Sequence, residues 1–307
     1  MEIIGHSDIW QFFKKTAERG NISHAYLFLG PDKVGKRTLA KKIIKLLNCQ
    51  EKELNKRPCG VCDSCRMVEN GSHPDFTFIE PEKKEIKIAQ IRKLSWNLSL
   101  QSNFSGYKTA IVDNAHSMNN EAQSALLKTL EEPKGKAVII LVTAWPRLLL
   151  PTILSRTGKV RFSPVAKEEM VDYLEKNKVD KEKKEKLISL YLGSPGEIID
   201  FLDNPEKLEK RNKIMKELEN LIDSSLAKRF NYAKEKTKNY KELNEILNVW
   251  LEYFREKMIR AIKENYSGKY SLKELRKITN LIQDTIFLIS KTEVNKKLAL
   301  ETILVEM

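Results

Sequence analysis

Ala25-Tyr26-Leu27-Phe28-Leu29-Gly30-Pro31-Asp32-Lys33-Val34-Gly35-Lys36-Arg37-Thr38 is the stretch that decides the fold. Its opening apolar run predicts a buried strand, and Leu39, Ile43, Leu46 and Leu47 beyond it form a stripe at helical spacing. Between them, Gly30 to Lys36 matches G-x-x-x-x-G-K. In that loop, glycines let backbone N–H groups approach phosphates and the lysine reaches the β- and γ-phosphates. Strand, loop and helix in this order predict an α/β nucleotide-binding module. Its chemistry is incomplete, because Arg37 stands where a Ser or Thr hydroxyl would bind Mg²⁺, and Thr38 comes one place too late. A second strand, Thr109-Ala110-Ile111-Val112-Asp113, ends in an acid suited to a Walker B position. It is followed by Asn114, whose amide cannot serve as the general base that a Glu would supply.

All four cysteines fall in one short segment, Cys49, Cys59, Cys62 and Cys65. Thiolates spaced C-x₂-C-x₂-C, with a fourth one loop away, can converge on a tetrahedral ion. Four protein ligands leave no open position for catalysis, so the reading is a structural zinc site. Two competing readings stand beside it. Disulfides are disfavoured in a reducing compartment, and a bacterial iron–sulfur run would need a cysteine where Glu69 stands. The intervening residues Arg57, Pro58, Gly60 and Asp63 are polar and turn-forming, which predicts a loop with little core of its own that folds around the metal. His24 and His116 flank strands and are read as hydrogen-bonded structural residues. His73-Pro74-Asp75, which leads into the strand-like Phe76-Thr77-Phe78-Ile79, is given no chemical role.

From His24 to about Ser163, strand signals at 25–29, 76–79, 108–112, 137–143 and 159–162 alternate with helical patterns, which predicts a largely parallel sheet. Asn119 or Asn120 can cap a helix with Ala122, Leu126, Leu127 and Leu130 on one side. Beyond Pro164 the strand signals stop, and helices are predicted at 167–177, 181–192, 195–203, 206–236, 240–265, 271–290 and 294–305. Trp250, Phe254, Ile278, Leu281, Ile282 and Phe287 repeat at helical spacing and are read as bundle core. Three domains follow: an α/β domain over 1–163 with the cysteine insertion at 48–70, a small helical domain over 164–204, and an all-α domain over 205–307.

With 55 Lys and Arg against 42 Asp and Glu, the net charge is +13, which suits an anionic setting such as DNA. Mixed-sign runs such as Lys181 to Lys186 equally suit a solvated helix face. The opening Met1 to Asp8 is polar and mixed in charge, unlike a secretory leader. The apolar run from Ala137 to Leu154 is broken by Pro146, Arg147 and Pro151. A cytoplasmic protein without a membrane span is expected.

Ser23-His24-Ala25-Tyr26-Leu27-Phe28, the phosphate loop, the four cysteines, Ser124 to Pro133 and Ile153-Leu154-Ser155-Arg156 together resemble the bacterial clamp-loader subunits of DNA polymerase III, above all the delta-prime family. The resemblance implies an AAA+ module, a lid over 164–204 and a collar over 205–307 through which five subunits assemble. The implied partners are gamma/tau-type ATPase subunits, a delta subunit, the sliding clamp and primer–template DNA, with no membrane. It implies that Arg156, within Ser155-Arg156-Thr157, acts as an arginine finger on a neighbour's ATP, a role that a planar, permanently charged guanidinium can fill. It also places Thr143 at the first sensor position and shows no lid arginine after Gly193-Ser194. Gly30, Gly35, Lys36, Thr38, Asp113 and Thr143 thus make a degenerate nucleotide site, where ATP or ADP binding stays open and hydrolysis is not expected. The expected function is a non-hydrolysing subunit that helps load the clamp. The alternatives are an active gamma/tau-type ATPase and an independent zinc-dependent nucleic-acid binder.

Overall fold

A computed structural model describes residues 3–104, 106–133, 135–264, 269–291 and 294–307. Met1 and Glu2 of the polar opening, and Asn265 at the end of one predicted helix, lie outside these residues. The chain divides into two compact units, Met1–Ile199 and Asp200–Met307.

The first unit is built on β1 (Ala25–Leu29), β2 (Phe76–Ile79), β3 (Lys108–Val112), β4 (Ala137–Thr143) and β5 (Gly158–Arg161). They form one sheet in the order β2-β3-β4-β1-β5. Every pairing is parallel. Helices α1 (Ser7–Glu18), α2 (Lys36–Asn48), α3 (Asp63–Asn70), α4 (Ile88–Ser99), α5 (Asn120–Glu131) and α6 (Pro151–Ser155) accompany it. Successive strand residues point to opposite faces, so the strands feed two cores. Leu27, Ala110, Val112, Ile139 and Leu141 join the core formed with α4, α5 and α6. Tyr26, Phe28, Ile111, Val138, Ile140 and Val142 join Phe13 of α1, Val68 of α3 and the Leu39–Ile43 stripe of α2. Burial on both faces at the centre of the sheet is the reason β1 and β4 read as near-continuous apolar runs, whereas the edge strand β5, Gly158-Lys159-Val160-Arg161, is mostly exposed.

Four strands lie at the predicted positions and the fifth begins one residue earlier. Helix α1 carries no mark in the sequence reading, and the cysteine insertion differs from expectation. It contains a regular helix, α3, whose Val68 is fully buried in the sheet's core. Asn119 is the cap of α5, its side chain accepting from the Ala122 N–H at 2.9 Å. The sheet is followed by α7 (Lys167–Lys176), α8 (Lys181–Ser189) and α9 (Pro195–Asp203), whose first turns complete this unit.

The second unit consists of α10 (Pro205–Ile222), α11 (Leu226–Lys236), α12 (Tyr240–Glu264), α13 (Leu272–Lys291) and α14 (Lys296–Glu306). The single helix expected over 206–236 is two, because the chain turns at Asp223-Ser224-Ser225. Ser225 adopts extended backbone, with φ −67° and ψ 153°, at the start of α11. Trp250, Phe254, Ile278 and Ile282 are buried as expected, and Leu281 packs against them. Phe287 is half-buried, while Thr285 and Ile289 of the same helix are buried. Among the described residues, no helix is long and apolar enough to cross a membrane.

Candidate functional site

The parallel register brings the residues of the phosphate-loop motif and the strand-end acid together. Leu29 lies opposite Thr143, and Val112 opposite Leu141, so the residues that follow β1, β3 and β4 meet at one edge of the sheet. That carboxyl edge is where open α/β sheets hold their ligands. Here a cavity of about 380 Å³ is lined by Asp32 to Thr38, Asp113, Asn114 and Thr143, with apolar walls from Ile3, Ile4 and Ile199. Gly30 has φ +151°, and a Cβ there would stand 2.3 Å from the Phe162 carbonyl oxygen. Gly35 caps α2 at φ +101°, a conformation open to glycine at little cost.

Lys36 is 5% exposed. Its Nζ donates to the Gly30 carbonyl at 2.7 Å and to that of Pro31, and stands 3.9 Å from Asp32. Burial pushes its pKa down, against the opposing pull of Asp32 and Asp113. The Arg37 Nη1 lies 3.4 Å from Asp113 Oδ2 and 3.6 Å from Glu80 Oε2, and its guanidinium carbon sits 4.3 Å from the centre of the Phe78 ring. Burial raises the Asp113 pKa, and Arg37 is the main influence acting the other way. Thr38 lines the cavity wall. The Thr143 hydroxyl lies 3.0 Å from His116 Nδ1 and accepts from the Trp145 N–H at 2.9 Å. The first turn of α9 closes on the loop. The Gly196 N–H donates to the Lys33 carbonyl at 2.9 Å, and the Ser194 hydroxyl to that of Asp32 at 3.2 Å.

Glu80 has no mark in the sequence, and Phe78 reads there only as part of a strand, with nothing to announce its contact with Arg37. The signal that could have found Glu80 is an acid directly after each of two neighbouring strands, since Ile79 pairs with Val112 and places Glu80 beside Asp113.

The four cysteine sulfurs lie within 4.8 Å of one another, with Cys49 Sγ 3.6 Å from Cys59 Sγ and 4.0 Å from Cys62 Sγ. A tetrahedral ion with metal–sulfur bonds near 2.3 Å requires sulfur separations of about 3.8 Å, so the cluster fits a closed four-thiolate centre. All four cysteines are free of disulfides. The Cys59, Cys62 and Cys65 amides point at sulfurs of the set, at 3.4–3.5 Å. N–H groups of Cys62 and Val61 draw the Cys59 pKa down to about 6, whereas burial raises those of Cys49 and Cys65. Cys49 follows the last residue of α2, and Cys62 caps α3, so two helix ends carry the cluster.

A buried polar chain ties that loop to the sheet. The Ser64 hydroxyl donates to the Asn48 carbonyl at 2.7 Å and lies 2.9 Å from His73 Nε2, while His73 Nδ1 accepts from the Asp75 N–H at 3.1 Å. Asp75, 1% exposed, meets Lys108 Nζ at 2.7 Å and accepts from Ser102, Asn103 and Phe104. Burial alone would raise its pKa, but Lys108 and these donors prevail and hold it well below the carboxylate range. His24 and His116 are hydrogen-bonded structural residues, His24 Nε2 lying 3.0 Å from the Leu130 carbonyl oxygen.

Arg156 lies apart from the cavity, at the end of α6. It is partly exposed and pairs through Nη2 with Glu131 Oε1 at 2.8 Å, while its Nη1 donates to the Thr152 carbonyl at 3.2 Å.

A family model described as DNA polymerase III, delta subunit, matches residues 5–166, more than half of the chain. A DNA polymerase III subunit delta′ of Pseudomonas aeruginosa is 38% identical over 151 residues, covering 48% of this chain and 46% of the relative. That of Bacillus subtilis is 32% identical over 208 residues, covering 68% and 62%. A DNA polymerase III subunit tau of Salmonella typhimurium is 33% identical over 174 residues, covering 57% of this chain and 27% of the relative. The chain therefore spans about half to three-fifths of the length of these delta′ relatives. The chain belongs to the DNA polymerase III delta-subunit family, as a clamp-loader subunit of the delta-prime type.

Proposed function

We propose that this chain is a non-hydrolysing member of a clamp loader, which helps place a sliding clamp on primer–template DNA and supplies Arg156 to the ATP of a neighbouring subunit. The observation that carries the reading is the pairing of Arg37 with Asp113 at 3.4 Å. The acid that would hold Mg²⁺ is engaged by a cation of the chain itself, and Asn114 beside it cannot take a proton from water. The loop cradles ATP or ADP without turning it over. Its AAA+ module spans 1–163, the helices over 164–204 act as a lid, and 205–307 serve as a collar joining gamma/tau-type and delta subunits in a cytoplasmic hetero-pentamer. The four cysteines hold one structural zinc, which supplies folding energy to the loop and no chemistry.

Arg156 is suited to act in trans because it is partly exposed and already makes a charge-assisted contact to a carboxylate, Glu131, of the type a phosphate oxygen would replace. The test reconstitutes the complex with gamma/tau and delta subunits. Arg156→Ala is expected to leave assembly intact and to lower the ATPase stimulated by clamp and DNA, along with clamp loading. Fingers elsewhere contribute about 10³–10⁵ in rate, and the other ATP sites of the complex reduce the visible loss. Arg156→Lys restores little, since an ammonium lacks the planar fork. Unchanged ATPase and loading in a normally assembled Arg156→Ala complex would remove the finger role. A gamma/tau-type ATPase is the second reading, favoured by the identity to tau. Turnover by the isolated chain that Lys36→Ala abolishes would establish it.

A further inference from the structure

Arg37 replaces the metal-binding hydroxyl with a group of the opposite kind. Mg²⁺ takes oxygen ligands in near-ideal octahedral geometry, and a guanidinium offers none. The Arg37 Nη1 is instead the cation that meets both acids at this edge, Asp113 Oδ2 at 3.4 Å and Glu80 Oε2 at 3.6 Å. The guanidinium carbon lies over the Phe78 ring, 4.3 Å from its centre, a cation–π contact. A second cation placed against Asp113 would be repelled by the first. Yet Arg37 remains half exposed and lines the same cavity of about 380 Å³, within the size range of small-molecule sites, together with Lys36, Gly35 and Thr38 at the start of α2. Phosphate-binding architecture is retained, and its metal-binding architecture is taken by an arginine.

We propose that this pocket binds a nucleoside polyphosphate in its metal-free form, with the Arg37 guanidinium doing the work of Mg²⁺. The inference rests on the reading of the cavity as a nucleotide site and goes beyond it by reversing the usual role of the metal. In an ordinary P-loop the cation bridges protein and phosphate and tightens binding. Here free Mg²⁺ brings no bridging ligand and competes with the protein for the phosphates. A cationic side chain from α9 does not share this work at position 196, because a Cβ there would stand 2.9 Å from the Lys33 carbonyl oxygen and 3.2 Å from its Cβ.

The test is equilibrium binding of ADP to the full chain by titration calorimetry, with magnesium withheld or added as the chloride at millimolar concentration. Magnesium is withheld rather than chelated, so that the cysteine centre keeps its metal. Wild type is expected to bind ADP without magnesium, and the addition is expected to leave Kd unchanged or weaken it. In Arg37→Thr, which restores a hydroxyl at the metal position, magnesium should tighten binding about tenfold or more. Arg37→Lys keeps a cation beside Asp113 and should remain indifferent to magnesium, with weaker binding for lack of the fork. Circular dichroism melting confirms that each variant is folded. A wild-type Kd tightened tenfold or more by magnesium overturns the metal-free inference and leaves the nucleotide pocket standing. An Arg37→Thr chain that binds ADP as wild type does, with and without magnesium, removes Arg37 from the role. Absence of ADP binding in both conditions, or binding undiminished in Lys36→Ala, overturns the pocket reading and the inference together.

Discussion

Asp75 and Lys108 form the most consequential ion pair of the α/β unit, because both side chains are almost wholly out of water and the carboxylate is ringed by donors from 102–104. Removing one partner strands the other's charge, so Lys108→Met should cost about 3–5 kcal/mol, read as a lowered denaturant midpoint. The sign of its pH dependence follows from the depressed carboxyl. With an unfolded value near 4, the stabilisation is whole above about pH 4 and drains away as pH falls from there toward the lower folded value. Asp75→Asn should start less stable and show a shallower acid limb, and a limb as steep as the wild type's would place the acid sensitivity elsewhere. None of this was legible in His73-Pro74-Asp75. The partners come from Ser64, 102–104 and Lys108, segments that only the folded sheet brings together. By contrast, Gly30, Gly35, Lys36 and Asp113 were legible because their spacing along the chain already encodes a shape. Arg37 was legible as a departure from the motif, but its pairing with Glu80 required the strand order.

The elements follow the same division. A strand buried on both faces announces itself as a short apolar run, which is why β1 and β4 were readable at their observed bounds, while the exposed edge strand β5 was placed one residue late. The junction between α10 and α11 was not, since amphipathic spacing continues across Asp223-Ser224-Ser225. What closes that turn is Arg229, buried in α11, whose guanidinium donates to the carbonyls of Leu221 at 3.0 Å, Ile222 at 2.7 Å and Leu304 at 2.7 Å. A cation satisfying the last carbonyls of two helices also meets the negative ends of their dipoles. Arg229→Met keeps much of the stem and orphans these acceptors, with an expected loss of about 3 kcal/mol. Amide exchange should quicken at the ends of α10 and α14 before it does so in β3 and β4. Uniform acceleration across both units would contradict a local capping role. The same kind of helix-end chemistry is hidden in the cysteine segment, because the eight residues of α3 contribute only Val68 to the sheet's apolar core and so carry no helical stripe.

For the whole molecule, two units with separate cores predict separable unfolding. Calorimetry of the metal-loaded chain should resolve two transitions, and removal of the metal should lower only the one belonging to residues 1–199. A single transition, or an equal shift in both, would refute that independence. The excess of positive charge identified no partner, because charge reports attraction to anions in general and says nothing of which surface meets them. The parallel order of the sheet has a further effect, on the time the chain takes to become itself. Parallel neighbours cannot be joined by a hairpin, and β1 has as its partners β4 and β5, each more than a hundred residues later in the chain. At ribosomal rates, β1 waits on the order of ten seconds for β4 to be made. Throughout that interval Ala25 to Leu29 is an apolar segment with neither of its strand partners, which makes it an aggregation hazard of the nascent chain until β4 emerges.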